Sequence, residues 1–263
     1  MLILEVARPG GRRFTTSLAA DITAGSVSFG IYFAIAGAVF LGAYPVPRYT
    51  FEDWQLLAGI PLGLFAALVT TLTTGSVTLA SRLFTWLTIP ATAKSALGGM
   101  MFGIVGVALP LTMFSGGDQL TAVLKGAGTL GLGLCIAILI AKMLTCAVCQ
   151  GSGFVGGPLF PSLFIGGTAG VIVHEAIPDV PLGLAFSCLL TAVLGSLAAA
   201  PFAMVLMAAI LTRGGALQTA PILIAVVTSF LTVEGVKYFL TSRRQARQSW
   251  VCVSRALNSR SRQ

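Results

Sequence analysis

The sequence predicts an all-α polytopic membrane protein whose second half is built from broken, tilted helices. Three observations carry this. Of its 263 residues, 56% are hydrophobic and only 9% are charged, and mean hydropathy is +0.94. Soluble domains carry roughly a quarter charged residues. Several apolar runs reach the ~20 residues that a helix needs to cross the hydrocarbon. Glycine and proline then crowd together where the chain should lie at membrane depth, above all in "GSGFVGGPLFPSLFIGG" from Gly151 to Gly167.

The first half reads as plain spans, at about 18–41, 56–80 and 94–114. Arg8, Arg12 and Arg13 precede the first span, and Arg82 and Lys94 lie between the second and third. The polar break "YPVPRYTFEDW" sets Arg48 against Glu52 and Asp53. Basic loops stay in the cytoplasm, so the N-terminus is expected inside and this break outside. The start, "MLILEVARPGGRR", lacks the order of a cleavable signal, because its basic cluster follows its short apolar run.

After Ser115 the pattern changes. "SGGDQLTAVLKGAGTLGLG" is too polar and glycine-rich for a plain span, and a span at about 130–148 follows it. "PFAMVLMAAILT", opened by Pro201, is too short to cross alone. Irregular backbone at membrane depth is tolerated only where protein buries it or where it lines a polar cavity. Such breaks characterise transporters and channels. Gly99-x-x-x-Gly103 and Gly166-x-x-x-Gly170 predict close helix crossings. A membrane domain over 16–240 and a basic, cytoplasmic tail over 241–263 complete the organisation. The net charge of +8 is read as topology-setting loop charge and not as a nucleic-acid surface.

The chemistry is expected in "GGPLFPSL", Gly156 to Leu163. Two glycines allow a sharp turn and close approach to the backbone. Pro158 suits the first turn of a helix, where its missing N–H is no loss. A helix is therefore expected to begin at Pro158. Its start exposes backbone donors and the positive end of the helix dipole, a combination that suits an anion. With Pro158 and Pro161 unable to donate, the donors would be Leu159 and Phe160, with Gly157. The residues alone leave two readings open: an anion site, or a Pro/Gly kink satisfied by neighbouring helices.

"SGFVGGPLFPSL" resembles the second anion-site motif of the CLC chloride channel and transporter family, G-x-F-x-P-x-L. Gly157, Leu159, Pro161 and Leu163 occupy its positions, with leucine where phenylalanine is usual. "AKMLTCAVCQGSGFVGG" is similar to the family's lead-in helix and turn, and "LGSLAAAPFAMVLMAAILT" to its later pair of dimer-interface helices. "LEVARPGG" resembles the end of its first-half helices. Gly151-Ser152-Gly153 looks like the first anion motif, G-S-G-I-P, but Val155 stands at the proline place, so Ser152 belongs to the lead-in of the second motif.

The resemblance implies an inverted-repeat helical architecture, a homodimer in the bilayer, and transport of chloride or another small inorganic anion. It implies no enzymatic activity and no cofactor beyond the transported ion. It makes residues 1–15 the cytoplasmic end of a truncated first repeat, and the membrane domain over 16–240 the end of that repeat plus the second. G-S-G-I-P and G-x-E-G-P, which carries the gating glutamate, have no counterpart here. A fragment, a misplaced start or a second chain supplying the rest would each account for that; the abrupt opening favours a fragment. The family's register puts Val6, beside Glu5, at the internal proton relay, which suits a passive channel in the plasma membrane more than a proton-coupled antiporter. A non-conducting structural subunit is the further alternative. Tyr238, in "VEGVKYFLTSRR", is the implied hydroxyl ligand near the start of a last helix. Pro158 replaces an N–H that contacts the ion in the family.

The remaining polar residues receive structural readings. His174 and Glu175 cap a helix end before Pro178. Lys142 and Arg213 snorkel to the surface. Cys146 and Cys149 are small packing residues, because no second pair or nearby histidine completes a tetrahedral metal site. A Ser152–His174 intramembrane protease is a competing class, weakened by Gln150 in place of the first glycine of G-x-S-G.

Overall fold

The computed structural model describes residues 12–37, 43–47, 49–113, 115–154, 156–157, 159–212 and 215–260. Glu5, Val6, Arg48, Val155, Pro158 and Arg213, all used in the sequence reading, lie outside the described residues. Among the described residues every regular element is helical: α1 (Arg12–Ala36), α2 (Trp54–Trp86), α3 (Ala91–Ala108), a 3-10 turn (Pro110–Thr112), α4 (Gly117–Lys125), α5 (Leu132–Gly151), α6 (Leu159–Ala176), α7 (Leu182–Ala198), α8 (Pro201–Thr212) and α9 (Ala216–Arg260). Among the described residues five stretches are long and apolar enough to cross a membrane: α2, α3, α5, α6 and Leu217–Phe239 of α9. The protein is an integral membrane protein.

The helices at the centre are apolar on every side, which is the pattern of a helix buried all round. Residues 162–172 of α6 and 183–196 of α7 are buried without interruption. The two helices pack along their lengths, and α7 also contacts α2, α8 and α9. Glycine permits the closeness. A Cβ added at Gly166 would lie 2.6 Å from the Leu189 carbonyl oxygen, and one at Gly170 would lie 2.5 Å from the Phe186 Cα. The expected crossing at Gly166-x-x-x-Gly170 is thus present. At the other expected pair, Gly103 faces open space and Gly99 meets only the Phe154 ring, at 3.7 Å.

The segment before α2 folds over one end of this core. The Tyr44 and Phe186 rings meet edge-on at 5.8 Å, and the Gln218 Nε2 donates to the Tyr49 carbonyl at 3.0 Å. Burial, helped by Asp118, raises the Tyr44 hydroxyl above its ordinary pKa, so the phenol stays neutral. The polar stretch after Ser115 forms the short α4, and its Leu120, Val123 and Leu124 are buried.

One expectation is corrected. No new helix starts near Tyr238. α9 runs unbroken over 45 residues, about 68 Å at 1.5 Å per residue, and carries Tyr238 in its middle. No proline lies between Pro221 and the C-terminus, so nothing there removes a backbone donor or sterically ends the helix.

Candidate functional site

The stretch Gly156–Leu163 forms a helix start inside the bundle, as its glycines and prolines predict. α6 begins at Leu159. Gly156 and Gly157 are exposed, and a Cβ on either would meet nothing within 4 Å, so packing does not demand glycine here. The first turn of a helix has backbone N–H groups with no partner inside the helix. In α6 those of Leu159 and Phe160 belong to this turn; Pro161 contributes none. Within that turn the Ser162 hydroxyl donates to the Leu159 carbonyl at 2.7 Å. Leu163, one motif position further, is buried in the core, whereas Phe160 is 50% exposed.

Beside this start lies a cavity of about 110 Å³. Gly156, Gly157 and Pro161 form one wall, and Phe102 of α3 and Phe154 close its sides. The opposite wall is α5, through Lys142, Thr145, Cys146, Cys149 and Gln150. Those five residues stand at i, i+3, i+4, i+7 and i+8, one face of a helix. Among the described residues of the lining Lys142 is the only charged one.

Lys142 is 2% exposed. Its ammonium donates to the Thr112 carbonyl at 2.9 Å and lies 5.0 Å from the centre of the Phe164 ring, a cation–π distance. The sequence reading sent this lysine to the surface, and the structure corrects that. The signal was present: Lys142 sits mid-span, with its polar neighbours repeating at helical spacing. A carbonyl and an aromatic face provide for the charge inside the protein, so the chain need not stretch to the interface. Cys146 and Cys149 are likewise lining residues and not mere packing between helices.

A second cavity, of about 140 Å³, lies on the other side of Cys146 and Gln150. Thr73 and Thr74 of α2 and Ser162 of α6 contribute hydroxyls to it. The Gln150 Nε2 donates to the Cys146 Sγ at 3.2 Å. This side-chain pair therefore borders both spaces.

Tyr238 does not join this constellation. It is 78% exposed and is absent from the linings of both cavities. Ser152 and His174 are also apart. Ser152 is 3% exposed and donates to the Cys149 carbonyl at 3.1 Å. His174 lies in the last turn of α6, its Nδ1 2.8 Å from the Val180 carbonyl. The 15 residues from Leu159 to His174 span about 22 Å of helix, which separates the pair from any shared chemistry. Glu175 accepts a hydrogen bond from the Gly128 backbone N–H, so His174 and Glu175 tie down loops, in keeping with a capping role.

Comparison with known proteins shows the family of the chain. The family described as "Voltage gated chloride channel" matches residues 6–234. The chain is 32% identical over 188 residues to chloride channel protein CLC-f of Arabidopsis thaliana, covering 63% of this chain and 23% of that protein. It is 36% identical over 93 residues to the putative ion-transport protein YfeO of Salmonella typhimurium, covering 35% of this chain and 22% of that one. The chain thus spans about a quarter of the length of these relatives.

Proposed function

Because the chain belongs to the voltage-gated chloride channel family, we propose that it forms part of a transmembrane pathway for chloride or a similar small inorganic anion, held at the start of α6. One observation carries this reading. The cavity at that helix start has a single charged residue in its lining, and that residue is a cation. Gly157 lines the cavity and Leu159 and Phe160, next to it but outside the lining, add the backbone N–H donors of the first turn; the dipole of α6 adds its positive end, and Lys142 adds a full charge. Low local dielectric strengthens all three. Donors and dipoles in place of water are how a pore takes up a dehydrated ion.

On this reading the ion moves passively, in a homodimer in the plasma membrane with the α9 tail in the cytoplasm. A proton-coupled antiporter of the same family would move protons with the ion. Reconstituting the purified chain in liposomes tests both. Chloride efflux, with a potassium permeability at least tenfold lower, is the expected result. Lys142→Met should weaken chloride binding, followed by calorimetry in detergent, by at least tenfold. That corresponds to about 1.4 kcal/mol. Uphill proton movement driven by a chloride gradient would replace the channel by the antiporter. Chloride binding without flux would assign the chain as a non-conducting subunit. Cation-selective flux, or chloride binding indifferent to Lys142, would overturn the proposal.

A further inference from the structure

The face of α5 that meets the cavity carries two thiols, which anion permeation does not require. Cys146 and Cys149 both line it and are partly accessible. The other two cysteines whose side chains are described, Cys135 and Cys188, are 0% exposed. We propose that Cys146 and Cys149 form a two-coordinate site for a soft monovalent metal ion of the Cu(I) or Ag(I) class, with Lys142 as its counter-charge.

Spacing, donor chemistry and charge support the assignment. Residues at i and i+3 of a helix have Cβ atoms roughly 5–6 Å apart, a gap that one ion bound by two sulfurs bridges. The cavity gives the ion space, and the Gln150 amide, donating to the Cys146 Sγ at 3.2 Å, fixes one sulfur from outside the coordination sphere. Such second-shell contacts tune metal affinity. Soft sulfur ligands select soft ions such as Cu(I). The lining holds no carboxylate for a hard cation. Among the described residues no group of three or more His, Cys, Asp or Glu side chains is placed to share a metal ion, and the site proposed uses the two sulfurs alone.

The charge balance follows from the chemistry. Two thiols and one M⁺ give a bis-thiolate complex of charge −1 and release two protons to solvent, with no change of oxidation state. Next to the Lys142 ammonium that complex is neutral overall. A neutral assembly is the one that a low-dielectric site tolerates best.

The test uses the full chain in detergent, in a chloride-free nitrate buffer, with silver nitrate as the probe. One equivalent of Ag⁺ should protect Cys146 and Cys149 together from maleimide, mapped by peptide mass spectrometry, and should release two protons. Cys146→Ser and Cys149→Ser should each abolish the tight equivalent, whereas Cys252→Ser should keep it. Lys142→Leu, which removes the charge without adding a sulfur ligand, should weaken it by about tenfold, the lower bound for a second-shell change. Protection of only one of the pair, or of Cys252 alone, would overturn the proposal, as would an affinity indifferent to Lys142. The protection pattern is read on the unaltered chain, so it stands even if a serine variant does not fold.

Discussion

The apolar stretch Ile22–Ile35 of the first helix and the α6–α7 pair occupy opposite environments. On α1, side chains 22–35 are all exposed, with Ile35 at 83% and Phe29 at 62%. On α6, eleven consecutive residues are buried. Hydrophobicity alone does not decide which of two apolar helices lies inside the protein. Lipid tails are as apolar as leucine, so close packing has to make the distinction. The glycines carry that difference. Gly166 and Gly170 meet backbone of α7, while Gly25 and Gly30 of α1 have nothing within 4 Å of a Cβ.

The sharpest way to break this contrast is to fill the α6–α7 crossing. Gly170→Val places branched carbons where the Phe186 Cα already lies 2.5 Å from a Cβ position. Backbone on both sides cannot rotate away, so the cost is set at the upper end for overpacking, about 3 kcal/mol or more. The expected outcome is loss of the monodisperse folded species on size exclusion. Gly166→Val, against the Leu189 carbonyl, should behave alike. Normal folding of both would show that this crossing is not close-packed.

The next effect is smaller and tests polar contacts in the same core. The Ser196 and Ser229 hydroxyls are 2.7 Å apart and buried, joining α7 to α9. Ser196→Ala leaves Ser229 a buried hydroxyl without that partner, which costs about 1–3 kcal/mol. The double change to alanine removes both polar groups and should cost less than the sum of the two singles. Denaturant unfolding in micelles would measure this cycle, and additive losses would deny the pairing.

The sequence made the helix start at α6 legible because its cause is local. The two glycines and the proline after them mark a break that can be read locally, and the described part of α6 starts at Leu159. Membrane class and most spans were legible for the same reason, since composition alone sets them. The lining of the cavity was not read, although its signal existed. Lys142, Thr145, Cys146, Cys149 and Gln150 form a polar stripe at helical spacing, and only the packing of α5 beside the start of α6 gives that stripe a cavity to face. Tyr238 is a different case. Its role was inferred from a resemblance that expects a new helix to begin near it, while α9 continues through that point.

The smallest predicted effect sharpens the contrast from the α1 side. Gly25→Ala and Gly30→Ala fall inside a helix, where alanine is favoured over glycine by about 0.5–1 kcal/mol. With open space at both positions, the exchange should leave folding intact or raise stability by that amount. Larger residues then separate lipid from protein contact. Gly30→Leu adds a side chain that lipid accommodates but that a second helix packed on α1 would not. Unchanged oligomeric state on crosslinking in nanodiscs assigns this face of α1 to lipid. A shift from dimer to monomer assigns it to a subunit contact. In that case exposure within one chain is what a joining surface looks like before it meets its partner, and the difference between α1 and α6 is one of assembly level more than of composition.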